Sequence, residues 1–188
     1  MFDSKTKAMD IVSADVTKNA GSDNRVKIGG VYHVECRDAE GNLKWEDEFH
    51  NLVVNVGLKD LNDKYFSGTS YTAAWYLGLI NSSATFAAGD SMTSHLGWTE
   101  NVSYTQAARP TLAFGGSTTA DPSVITASSL TFTINATATI GGAFVSNSST
   151  KSGTTGILFS EGNFTGGNRA VISGDTLNVT YSFSADAA

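Results

Sequence analysis

Cysteine is nearly missing from this chain. Cys36 stands alone among 188 residues, so no intrachain disulfide and no multi-cysteine zinc site is expected. Charge is also scarce: 16% of residues, against about 25% in ordinary domains. What charge there is sums to −6, with a pI near 4.9, which argues against nucleic-acid binding through a basic surface. No stretch approaches the ~18 uncharged apolar residues of a membrane-spanning helix. The opening MFDSKTKAMD contains no apolar core, so a secretory signal is not expected. No 20–50-residue repeat occurs, which sets aside propellers and solenoids. No G-x-S-x-G elbow occurs either, and the Gly-rich FGGST and SGTTG lack the lysine and following helix of a phosphate loop.

What is present is unevenly spread. Residues 1–66 hold 9 of the 12 Lys/Arg and 12 of the 18 Asp/Glu, while the other 122 residues hold 39 of the 44 Ser/Thr. A surface of Ser, Thr, Asn and Gly is wettable without charge and suits pleated strands and turns. It also offers little repulsion to a protein packed against it. Residues 1–25 read as a polar arm whose apolar side chains cluster at Met9, Ile11, Val12 and Val16. Such a segment buries too little to fold alone.

A domain is expected over 26–188. VKIGGVYHVECR reads as a strand with a bulge at Gly29-Gly30. After the turn DAEGN, LKWEDEFH alternates: Leu43, Trp45 and Phe49 on one face, Lys44, Glu46, Glu48 and His50 on the other. Leu58, Leu61 and Tyr65 recur at helical spacing, with Lys59, Asp60, Asp63 and Lys64 outward. One helix is therefore expected at about 56–66, with Asn55 as N-cap, over an open end of the sheets. TAAWYLGLI has the continuous apolar character of a strand covered on both faces. RPTLAFG suits an edge strand. In SSLTFTINATATIGGAFVS, Leu130, Phe132, Ile134, Ala136, Ala138 and Ile140 alternate with polar residues until Gly141-Gly142 interrupts. GILFS is a short strand, EGNFTGGN a loop, and Leu177, Val179, Tyr181 and Phe183 point inward from a final strand. Eight or so antiparallel strands with one short helix and an N-terminal arm predict an all-β, jelly-roll-like sandwich.

Reactive constellations do not assemble. His33 and Cys36 are three apart on a strand and face opposite ways, against a shared metal. Glu46, Asp47 and Glu48 fit a solvated strand face better than an acid/base pair. Six N-x-[ST] sequons, at Asn81, Asn101, Asn135, Asn147, Asn163 and Asn178, follow from composition. Trp75 and Trp98 read as core rather than as sugar platforms. No catalytic residue, cofactor or metal ligand is therefore assigned.

GNLKWEDEFHNLVVNVGLKDLNDKYFSGTSYTAAWYLGLI, followed by FAAGDSMTSHLGWTE and ARPTLAFG, resembles virion proteins of tailed bacteriophages. The ending VISGDTLNVTYSFSA is similar to their closing strands, so the resemblance spans about residues 30–184. It implies a structural, non-enzymatic role: a head decoration (cement) protein bound to the major capsid protein, self-associating and located in the virion after assembly in the host cytoplasm. A tail fibre, adaptor or tube component is the alternative, and a carbohydrate-binding module using Trp98, Tyr104 and the 161–168 loop a third. Neither nucleic acid nor membrane is an expected partner. The expected protein contacts are Met9, Ile11, Val12 and Val16 of the arm, and Lys44, Glu46 and Glu48 of the charged hairpin.

Overall fold

A computed structural model describes residues 26–71 and 73–187. Two antiparallel five-stranded sheets face each other. The first runs β2 (Leu43–His50), β1 (Lys27–Arg37), β12 (Thr176–Asp186), β6 (Ser123–Thr126), with β7 (Leu130–Thr133) also paired to β12. The second runs β3 (Leu52–Val53), β10 (Leu158–Asn163), β9 (Gly142–Ser146), β4 (Tyr76–Ile80), β5 (Glu100–Asn101). A ribbon of β8 (Ala138–Ile140) and β11 (Arg169–Val171) and one helix, α1 (Asn55–Tyr65), complete the described elements. The expected all-β sandwich with one helix is therefore found. The strand count is higher than expected because β3, β5, β8 and β11 are two or three residues long, too short for an alternating pattern to register.

The alternation of β12 is borne out, and that of β2 from Trp45 onward, whereas Leu43, expected to share the face of Trp45 and Phe49, is 48% exposed where the pairing with β1 shifts register. Phe49, Leu177, Val179 and Tyr181 are buried, and Glu46, Glu48 and His50 face water. Between the sheets, Tyr32 stacks on Phe49 with ring centres 4.7 Å apart and meets Tyr181 at the same distance. The second sheet is buried on its outer face too. Val54, Ile80, Met92, Trp98, Phe144 and Leu158 form a satellite cluster there, packed under the 81–99 connection. That is why YLGLI lacks a polar face, as its composition predicts.

Several local expectations are corrected. No bulge interrupts Gly29-Gly30, since β1 pairs with β12 without a break from Lys27↔Asp186 to Arg37↔Thr176. Gly30 is required instead by close approach: a Cβ there would lie 2.4 Å from the Tyr181 hydroxyl. The long 130–140 strand is split, and Ala136 is exposed. Its ladder stops because Ile134 and Asn135 donate their backbone N–H groups to Asp175 and Ser103 rather than to a neighbouring strand. RPTLAFG makes only isolated bridges, Tyr76↔Thr111 and Phe114↔Ala127. Glu161, Gly162 and Asn163, expected in a loop, complete β10.

The helix, expected at about 56–66 with Asn55 as N-cap, runs from Asn55 to Tyr65, so Val54 occupies the N-cap instead, without a side-chain hydrogen bond. Asn55 donates its backbone N–H to Ala88 O at 2.7 Å. The buried face also differs: Gly57 and Asp60 are buried, while Leu61 and Tyr65 are exposed. Gly57 lies so close to β10 that a Cβ would sit 2.6 Å from Phe159 O. That contact fixes the helix rotation. Asp60, one turn on, is carried inward, and the apolar stripe turns toward the open end of the sandwich.

Candidate functional site

The open end holds an apolar groove of about 470 Å³. Helix α1 contributes Leu61 and Tyr65, and the 71–75 segment contributes Tyr71, Ala73 and Trp75. The first sheet supplies Ile125, Tyr181 and Phe183, the second Val145 and Phe159, and Phe114 closes one side. The rings are in mutual contact: Trp75–Phe159 at 5.2 Å, Phe159–Phe183 at 5.6 Å and Phe114–Tyr181 at 6.1 Å. Beside the groove Tyr65 and Phe66 meet edge to face at 4.9 Å, each 79% exposed. Exposed aromatics beside a well-formed apolar hollow are the usual mark of an interaction site.

The polar groups around the groove are already engaged. Asn51 Nδ2 donates to the Tyr181 hydroxyl at 2.9 Å, and Asn51 Oδ1 accepts from Gly30 N–H at 2.6 Å. Burial pushes the Tyr181 phenol up to about 12 and raises that of Tyr32 well above its ordinary value, so both are neutral at physiological pH. Trp75 Nε1 donates to the Tyr71 hydroxyl at 2.8 Å. At the rim, Lys64 and Asp60 face each other at 4.0 Å. The groove therefore offers mainly shape and apolar area.

Elsewhere the buried charges form structural pairs. Arg109 holds Glu100 through two bonds, Nε to Oε1 at 2.9 Å and Nη2 to Oε2 at 2.7 Å, and donates to the Ser148 and Gly153 carbonyls. Asp47 is not a solvated carboxylate, as its neighbours Glu46 and Glu48 are. It is buried and accepts from Thr165, from Gly166 N–H and from Arg169 Nη2. Burial pushes its carboxyl up, but these hydrogen bonds outweigh that and hold it below the usual carboxylate value. Glu161 is fully buried and accepts from Trp98 Nε1 at 2.9 Å. Burial, reinforced by the Asp90 carboxyl, raises it to about 8. Sequence reasoning missed Glu161 by placing it in a loop. It missed Arg109 because a strand edge was expected there.

Cys36 faces the core and His33 the solvent, on opposite sides of β1 as the alternation requires. Burial raises the Cys36 thiol to about 11. No group of three or more His, Cys, Asp or Glu side chains converges on a point among the described residues. Trp98 and Tyr104 are buried and present no ring face to a sugar. Of the expected contacts, Glu46 and Glu48 are exposed on the outer face of β2, an edge strand of the first sheet, and Lys44 pairs with Asp175. Met9, Ile11, Val12 and Val16 lie outside the described residues. The groove itself was not foreseen, because its lining comes from seven separate stretches of chain.

No family model, no curated protein and no solved structure matches this chain.

Proposed function

We propose that this is a non-enzymatic structural protein of a tailed-phage virion, a head decoration (cement) protein that binds the major capsid protein and its own copies. The observation that carries the reading is the apolar groove with its exposed aromatic flank on an otherwise charge-poor β-sandwich. Away from the groove, the buried pairs Arg109–Glu100 and Arg169–Asp47 fasten loops together. A cement protein needs a rigid core, apolar docking area and weakly charged contact faces. Each stable contact of such a protein buries on the order of 1,600 Å². The proposed contacts are the groove, the arm residues Met9, Ile11, Val12 and Val16, and the outer face of the hairpin with Lys44, Glu46 and Glu48.

The test is co-sedimentation with empty phage capsids, followed by cryo-EM of the particle. Saturable binding and density on the shell are expected. Density confined to the tail replaces the reading with a tail component, and absence of binding to any phage structure removes it. Deleting residues 1–20 should weaken capsid binding at least tenfold.

A further inference from the structure

The groove and the ring beside it form a hole and a knob on one face. Phe66 does not line the groove. It follows Tyr65, which does, and its only ring partner among the described residues is Tyr65, at 4.9 Å. We propose that the groove's partner is a second copy of this chain: two molecules pair about a two-fold axis, and Phe66 of each enters the groove of the other. The inference rests on the reading of the groove as a contact surface. It gives that surface to self-association and leaves the capsid to the other proposed contacts.

The backbone holds the knob outward. Phe66 closes α1 in helical conformation, its N–H donating to Asn62 O at 2.9 Å. Gly68, with φ +63°, turns the chain shortly after it, and Lys64 Nζ ties that turn by donating to Ser70 O at 3.2 Å. The ring is thus presented from a fixed main chain, so little ordering cost falls on binding. Knob and hole lie one ring apart on the same surface. A two-fold axis sets a patch against its own copy, so both insertions occur within one closed pair. A knob and a hole on different faces would instead propagate into open chains.

The hole suits the knob in size and chemistry. An apolar void of about 150 Å³ admits a benzene ring, so a groove of about 470 Å³ accepts a phenyl ring. Trp75, Phe114, Phe159 and Phe183 line it, and a phenyl ring meets such neighbours in offset or edge-to-face contact. Phenylalanine carries no polar side-chain atom into the groove. Trp75 Nε1 and the Tyr181 hydroxyl already hold hydrogen bonds there, so the insertion strands neither.

Area and charge favour a copy of the same chain. With about 200 Å² on each ring, Tyr65 and Phe66 at 79% exposure and Tyr71 at 51% present roughly 400 Å². Leu61, 37% exposed, and the half-buried walls Trp75, Phe114, Ile125 and Phe183 add to this. Two such faces together remove on the order of 1,000 Å² from water, the lower bound for a specific interface. The chain carries −6 overall, but α1 carries Lys59, Asp60, Asp63 and Lys64, two of each sign, paired within the helix. The remaining groove residues are uncharged. This face therefore selects no partner of opposite charge, and it does not repel itself.

The test follows the mass of the full-length chain by light scattering across the micromolar range. Binding of 1-anilinonaphthalene-8-sulfonate, a dye whose fluorescence reports exposed apolar surface, is read in parallel. Wild type should pass from the mass of one chain to a plateau at two, with dye binding per chain falling about threefold. Phe66→Ser changes an exposed side chain and leaves the groove lining intact. It should weaken pairing at least about thirtyfold, the loss of one buried aromatic anchor per copy, and keep dye binding high at every concentration. Ala73→Trp, at an exposed residue of the groove, fills the hole and should weaken pairing to a similar degree with Phe66 untouched. Wild type that stays at the mass of one chain overturns the proposal. So does pairing by either variant at wild-type strength, and so does a mass that climbs past two copies without a plateau. Capsid co-sedimentation by the same proteins separates the two readings. A monomer that binds capsids, and loses that binding with Phe66→Ser, gives the groove to the capsid protein and ends only the pairing proposal. A pair that dissociates with Phe66→Ser but has no affinity for any phage component ends only the virion reading.

Discussion

Replacing Arg109 with methionine tests whether the buried charges hold the loops, as their geometry implies. The side chains of Arg109 and Glu100 are 1% and 6% exposed. Methionine keeps much of the volume but strands Glu100, which would retain only the Ser152 N–H at 2.6 Å. The Ser148 and Gly153 carbonyls lose their donors as well. Breaking one side of a buried pair costs about 3–5 kcal/mol. With a urea m-value of about 2–3 kcal/mol/M for a domain of this size, the midpoint should fall by roughly 1–2 M. Urea titration followed by tryptophan fluorescence reads the shift. The double variant Arg109→Met/Glu100→Gln removes the stranded charge and keeps an acceptor for Ser152, so it should recover at least about 1 kcal/mol over the single change. A single variant within about 1 kcal/mol of wild type, or a double variant worse than the single, would refute the idea that the penalty comes from an uncompensated buried carboxylate.

Glu161 predicts a pH effect of opposite sign to the usual carboxylate. Its folded value, about 8, lies above its unfolded one, so the folded state holds the extra proton, and this group's contribution to stability falls as pH rises from about 4.5 to about 8. Glu161→Gln should therefore match wild type near pH 5 and exceed it by a few kcal/mol near pH 9, as thermal denaturation across pH will show. Gly57→Ala should destabilise despite its gain in helix propensity. The gain is about 1 kcal/mol, but the new Cβ meets the Phe159 backbone at 2.6 Å, and overpacking costs about 1–3 kcal/mol. The net loss should appear as a lower melting temperature, and a rise would contradict the close contact. Cys36, buried and with its thiol raised to about 11, should react with Ellman's reagent only when the protein unfolds. Rapid labelling of the native protein would show that β1 opens locally.

The legible parts of this fold were those where local pattern and tertiary environment agree. β2 and β12 alternate because one face of each meets the core and the other meets water, and two-residue periodicity reports that directly. YLGLI was legible for the converse reason: both its faces are covered. The errors arose where a distant partner decides. Leu61 and Tyr65 have helical spacing, yet the side α1 buries is set by Gly57 against the backbone of Phe159, about a hundred residues away in sequence. Glu161 sits in a run of Glu, Gly and Asn that reads as a loop, and it becomes strand because Phe144 and Leu52 pair on either side of it.

The displaced apolar face of α1 is also what creates the groove. A helix placed with Leu61 and Tyr65 against the second sheet would close the open end and leave a sealed sandwich. With glycine at the contact, the helix backbone lies against β10, and its larger side chains point across the gap between the sheets. The same substitution that lowers stability, Gly57→Ala, should then also change the groove, because lifting the helix off Phe159 moves Leu61 and Tyr65 relative to Phe183. A variant that loses stability without any change in dye binding would separate the two effects and show that the groove's shape is set by the 71–75 segment instead.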